Sequence, residues 1–134
     1  MKKLAEMQVG ESIKEVQLEP VSRLDLIKYA GASGDYNPIH TIDDEAKKAG
    51  LPGIIAHGMW TMGNLAKLFT PHFEEGFIQD YSIRFKGMVF LNDVITLRAS
   101  LTEKTEHQLN FDVAAVNQAG NEVIKGKVVY HQYQ

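Results

Sequence analysis

The chain has 134 residues, 44% of them apolar and 23% charged, with a formal charge of −3 and no cysteine. That length fits one domain of roughly 100–200 residues, expected here over residues 1–134, and the composition is globular rather than disordered. Without cysteine there is no disulfide framework, zinc ribbon, iron–sulfur cluster or thiol nucleophile, and the scattered lysines and arginines form no basic stripe for nucleic acid.

The opening MKKLAEMQVGES has two lysines but no apolar stretch behind them, so no secretory leader is read there. No run approaches 18 consecutive apolar residues, so no membrane-spanning segment is expected, and the expected location is cytoplasmic. Residues 12–19 (SIKEVQLE) alternate loosely and predict a first strand. Ser22 then has the character of a helix N-cap, with Asp25 three positions on and Val21 placed to pack against Leu26. This helix is expected to run through Tyr29 or Ala30 and to stop at Gly31. A second short helix fits residues 43–49, capped by Asp43 or Thr41 and stopped by Gly50–Leu51–Pro52.

Residues 57–69 (HGMWTMGNLAKLF) predict a helix whose apolar residues wrap most of its circumference, leaving Thr61, Asn64 and Lys67 as a narrow polar stripe. Such a helix is normally buried by other elements. Beyond Thr70–Pro71 the period switches to two. Tyr81, Ile83 and Phe85 begin the pattern; Ile95 to Leu101, Leu109 to Ala115, and Ile124, Val128 and Tyr130 continue it. These are half-buried antiparallel strands, with turns at Asn92–Asp93, near Glu103–Glu106 and at Ala119–Gly120–Asn121. Helices early and strands late give an α+β class, with the sheet wrapped on the apolar helix.

Chemistry concentrates in residues 31–59, GASGDYNPIHTIDDEAKKAGLPGIIAHGM. Asp35 and His40 are five positions apart, which is about 140° around a helix or opposite faces of a strand. Pro38 also pushes Asn37 out of helical geometry, so only a turn brings both side chains to one spot, and Asn–Pro is a turn dipeptide. A carboxylate and an imidazole meeting there can hold and activate a water. The same Asp and Asn also make turns and caps for structural reasons alone. A metal set of Asp35, His40 and His57 has no recognised ligand spacing, and no metal or cofactor is expected. At the start of the apolar helix, Gly58 lets a ligand approach otherwise unpartnered N–H groups, which suit a carbonyl gaining negative charge; tight helix–sheet packing is the alternative reason for a glycine there. His57 is expected to be structural, and His72, His107 and His131 to be unremarkable residues of a helix stop, a turn and an outward strand register.

YAGASGDYNPIH followed by AGLPGIIAHGM resembles the signature of the MaoC-like dehydratases and (R)-specific enoyl-CoA hydratases, and is similar to single-domain 3-hydroxyacyl-ACP dehydratases. The resemblance extends to YSIRFKGMVFLNDVITL and covers nearly the whole chain. It implies a hot dog fold, a long central helix wrapped by an antiparallel sheet. It also implies a homodimer with acyl-thioester pockets at the subunit interface. By the same resemblance Asp35 and His40 match the catalytic pair and Gly58 the backbone donor to the thioester carbonyl. Asn37 matches the residue shaping the active-site turn, and Ile39 is taken as a substrate contact. Two departures are visible: Ala66 where some relatives carry serine, and Leu91–Asn92–Asp93 where the family often has Pro–Gly–Asp.

The reaction so implied is reversible hydration of a trans-2-enoyl thioester, carried on CoA or ACP, to the (R)-3-hydroxyacyl thioester. A hot dog thioesterase and a non-catalytic, thioester-binding half of a heterodimer are the alternatives. A core built on one helix leaves little room for a deep private pocket, so a site shared between two copies is expected.

Overall fold

In the computed structural model, which describes residues 2–134, one antiparallel sheet packs over a short apolar helix. The strands are β1 (Val16–Gln17), β2 (Gly76–Phe85), β3 (Thr96–Lys104), β4 (Gln108–Val116) and β5 (Glu122–Gln132), and their order across the sheet is β1-β3-β4-β5-β2. The alternation read from the sequence sets the two faces. Ile95, Leu97, Ala99, Leu101, Leu109, Phe111, Val113, Ala115, Ile124, Val128 and Tyr130 are all buried on the inner one. There they meet Leu65, Leu68 and Phe69, whose ring stands edge-on to Phe111 with centroids 5.2 Å apart. The turn at Asn92–Asp93 forms as expected. Asn92 sits at φ 68, a left-handed conformation asparagine tolerates almost as glycine does, which accounts for the departure from Pro–Gly–Asp.

The first strand is shorter than its alternation promised. Only Val16–Gln17 pairs regularly with β3, while Gly10, Ile13 and Leu18 donate single hydrogen bonds to Leu101, Ala99 and Ile95. The segment therefore follows the sheet edge without joining its ladder throughout.

The first helix, α1 (Arg23–Ser33), has the full capping box at Ser22 and Asp25. It runs through Gly31 and ends at Gly34, whose φ of 76 supplies the left-handed cap and whose N–H reaches the Ala30 carbonyl. The expected stop at Gly31 is thus displaced by three residues: a helix tolerates an internal glycine at about 1 kcal/mol, whereas the reversal at Gly34 favours one. The second, α2 (Asp43–Lys48), begins after Ile42, with neither Asp43 nor Thr41 as its cap. The Asp43 carboxylate is engaged instead by the Arg23 guanidinium at 2.9 Å and the Ile54 N–H at 3.4 Å.

The apolar helix α3 (Gly58–Leu65) is only eight residues long and continues as a 3-10 turn over Ala66–Leu68, then a second at Thr70–His72. Its burial also differs from expectation. Thr61, assigned to the outer stripe, is buried, whereas Met59 is 55% exposed and Trp60 and Met62 are only half-buried. The sheet covers one side of the helix, and Met59 is left open on the other. The Tyr81 hydroxyl donates to the Met62 carbonyl and fastens this helix to β2; burial pushes its pKa up to about 12.

Candidate active site

Asp35 and His40 are brought together by the turn between α1 and α2. The chain leaves α1 at Gly34, and the Asp35 N–H donates to Ser33 Oγ. Asp35 Oδ1 accepts the Asn37 N–H at 3.2 Å, and Asn37 Oδ1 accepts the Ile39 N–H at 3.2 Å. Pro38 then starts a 3-10 turn, Pro38–His40, that carries the imidazole back toward the carboxylate. Two short side chains and a proline thus fold the segment, which is why the Asp–x–Asn–Pro–x–His spacing works here.

His40 is a buried ring beside an open carboxylate, with side-chain exposures of 10% for His40 and 52% for Asp35. Its Nδ1 lies 2.7 Å from the Ile55 carbonyl, which can only accept, so Nδ1 carries a proton and the bond selects the tautomer with a bare Nε2. Ile55 is itself held, since its N–H donates to the Ile39 carbonyl at 3.1 Å. His40 Nε2 and Asp35 Oδ2 stand 3.9 Å apart. That is too long for a direct hydrogen bond and suits two acceptors sharing one water by its two hydrogens.

His57 is the residue that sequence reasoning undervalued. It is 2% exposed, its ring stacks on His40 with centroids 3.8 Å apart, and Tyr29 meets it edge-on at 4.9 Å. Its Nε2 donates to the Asp35 carbonyl at 3.1 Å, a structural contact, while its buried Nδ1 has no partner among the described residues. Burial holds the His57 pKa below its ordinary value; the Asp35 carbonyl bond opposes this and the neighbouring His40 adds to it. Asp35, His40 and His57 lie close enough together to consider a metal. The two ring planes are only 22° from parallel, however, so their in-plane lone pairs run side by side instead of meeting at one ion.

Gly58 opens α3 directly after His57, at an exposed position. A Cβ built there would lie 2.7 Å from the Phe85 ring, so this glycine does serve close packing, and it does so at the helix end whose N–H groups have no intrahelical acceptor. Asn37 has its side chain in the turn, and Ile39 is half-buried beneath it. The remaining histidines are less bland than expected at one position. His72 is buried and its Nδ1 lies 2.7 Å from Glu75, whose carboxylate also accepts the N–H groups of Leu4 and Ala5. The His-x-x-Glu spacing was the available signal.

The family model described as "MaoC like domain" matches residues 5–123. The chain is 34% identical over 113 residues, 81% of its length, to the fatty acid synthase subunit beta of Aspergillus oryzae. It is 29% identical over 89 residues, 66% of its length, to the mitochondrial 3-hydroxyacyl-[acyl-carrier-protein] dehydratase of Arabidopsis thaliana. It spans 6% of the fungal protein and 52% of the plant one. Among solved structures, the unliganded (R)-hydratase PhaJ1 of Pseudomonas aeruginosa superposes with a TM-score of 0.88 at 25% identity, over 97% of this chain and 84% of that one.

Proposed function

The chain belongs to the MaoC-like domain family and has the hot dog fold, and from that premise we propose that it is a hydro-lyase interconverting trans-2-enoyl and (R)-3-hydroxyacyl thioesters. The observation that carries the proposal is the pairing of Asp35 Oδ2 with the bare Nε2 of His40 across 3.9 Å. Both atoms are acceptors, so a water held there gives one hydrogen to each and presents its oxygen lone pairs outward. Attack of that oxygen on the β-carbon of the enoyl thioester breaks one O–H bond, and its proton passes to the pair. The electrons move through the α-carbon to the thioester oxygen, and the α-carbon is then protonated from the same pair. The negative charge on that oxygen is met by the Gly58 N–H at the start of α3. Asn37 holds the turn, and Ile39 lines the place of the acyl group.

We further propose that residues 1–134 act as one domain, that two copies form the working unit, and that the cysteine-free chain works in the cytoplasm. Support for the pair of copies comes from the open side of α3. Met59 there, and Phe85 against Gly58 at the end of β2, are about half exposed. Apolar surface of that kind, near the open carboxylate of Asp35, is suited to cover by a partner.

The test is direct. Purified protein mixed with crotonyl-CoA is followed by loss of the conjugated enoyl absorbance, with free thiol measured in parallel. Loss of absorbance without thiol release is the expected result. Loss of absorbance matched by thiol release makes the protein a thioesterase, and no reaction across several acyl lengths on CoA and ACP overturns the proposal.

A further inference from the structure

The outer face of β2 and β5 carries a cationic cluster that the proposed chemistry does not use. Arg84 and Lys86 on β2's register, and Lys125 and Lys127 on β5, surround a shallow hollow of about 520 Å³ that Ser82 also lines. Four cations gathered on one face are notable in a chain whose net charge is −3. Arg84 is moreover the direct cross-strand partner of Lys125. Like charges in that relationship destabilise a sheet, because their side chains start only about 5 Å apart. Relief is partial: Glu122 approaches Lys86 at 3.4 Å and Lys125 at 4.0 Å. Arg84 and Lys127 form no ion pair among the described residues, and Asp112, opposite Lys127 on β4, marks the acidic limit of the cluster. A repulsive arrangement kept on an exposed face calls for an anion.

Its position indicates which one. Phe85, between Arg84 and Lys86, has its ring against Gly58 on the opposite side of the strand. The cluster and the thioester end of the proposed site are thus separated by one residue of β2, at the strand's last ladder position, Phe85 opposite Ile124. A flexible arm can pass round that end from one face to the other. We propose that Arg84, Lys125 and Lys127 form a polyphosphate site for the 3′-phospho-ADP end of a coenzyme A thioester. The assignment rests on the hydration reading above, since it takes the acyl end to lie at Gly58. The hollow's volume is that of an ordinary small-ligand pocket, and Ser82 adds a hydroxyl donor.

The experiment uses adenosine 3′,5′-bisphosphate as probe, titrated into the whole protein and into an Arg84→Gln/Lys127→Gln variant. Binding to the wild type that weakens with salt and falls about tenfold in the variant is expected, because two exposed cations no longer face the phosphates. The KM advantage of crotonyl-CoA over the crotonyl thioester of pantetheine shrinks by the same factor. Arg84→Gln relieves a like-charge pairing and Lys127→Gln gives up an opposite-charge one with Asp112, so the melting temperature of the variant stays within a few degrees of the wild type. Probe binding that is absent, or equal in both proteins, overturns the proposal. So does a variant whose defect appears with acyl carrier protein substrates and not with CoA. If neither thioester is hydrated, the hydration reading fails while the probe titration still decides the phosphate site.

Discussion

His57 lies flat against His40, with ring centroids 3.8 Å apart and planes 22° from parallel, and is tied through Nε2 to the carbonyl of Asp35. One buried ring therefore touches both members of the proposed catalytic pair. It is a positioning residue: it fixes the backbone of one partner and the ring plane of the other.

The burial that makes His57 a good support also makes it acid-sensitive. Its folded pKa is held below the ordinary value of 6.5, chiefly by burial. Above pH 6.5 the ring is neutral in both folded and unfolded chains, and its contribution to stability is complete. As pH falls below that value the unfolded chain takes up the proton first, so stability declines until the folded pKa is passed. Denaturant titrations at pH 7.5 and 5.5 are expected to give a lower midpoint at 5.5, with the drop reduced in His57→Asn. An unchanged drop in that variant shows that His57 is not its source.

Replacing either member of the pair should remove chemistry and leave the fold. Asp35→Asn and His40→Gln are each expected to lower kcat by about 100- to 10,000-fold, the usual range for a positioned acid or base. Asp35 is exposed, so Asp35→Asn should melt within a few degrees of the wild type. Residual rates near wild type in both variants would remove the pair from the mechanism.

Gly58→Ala separates packing from chemistry. The added Cβ meets the Phe85 ring at 2.7 Å, but that residue is half exposed and its ring can swing away. Alanine's helix propensity offsets the move by up to about 1 kcal/mol. Stability should therefore change little, while kcat falls about 100-fold from loss of access to the N–H donor. A large fall in melting temperature with normal kcat would show that the glycine serves packing alone.

If two copies complete the site, specific activity must follow assembly. Dilution assays run beside sedimentation velocity are expected to show activity falling as the mass halves. A fully active monomer contradicts this.

Local signals were legible where neighbours in sequence settle the outcome. The Ser22–Asp25 capping box is one; Ser22→Ala is expected to cost about 1 kcal/mol, a few degrees of melting temperature. The turn that joins Asp35 to His40 is another, because Asn37 and Pro38 make it themselves. Gly31 and Gly34 were indistinguishable as helix stops, since both are glycine and only the path of the chain chooses. The exposed face of α3 was misread because its apolar residues specify burial without saying by which chain. The stack of His57 on His40 spans 17 positions and has no local pattern. The pairing of Arg84 with Lys125 needs the strand register, which side-chain period alone does not supply.

Strand β2 ends the sheet, with nine of its ten residues paired to β5 on one side only and Gln79 bulged out of register. An open row of backbone donors and acceptors of that length invites another strand. Paired across a two-fold axis, two copies would use up both rows at once and growth would stop at two. Paired head to tail, each addition would leave a fresh row exposed, and the chain of copies would lengthen without limit. The geometry at this one edge therefore decides between a finite particle and a fibre.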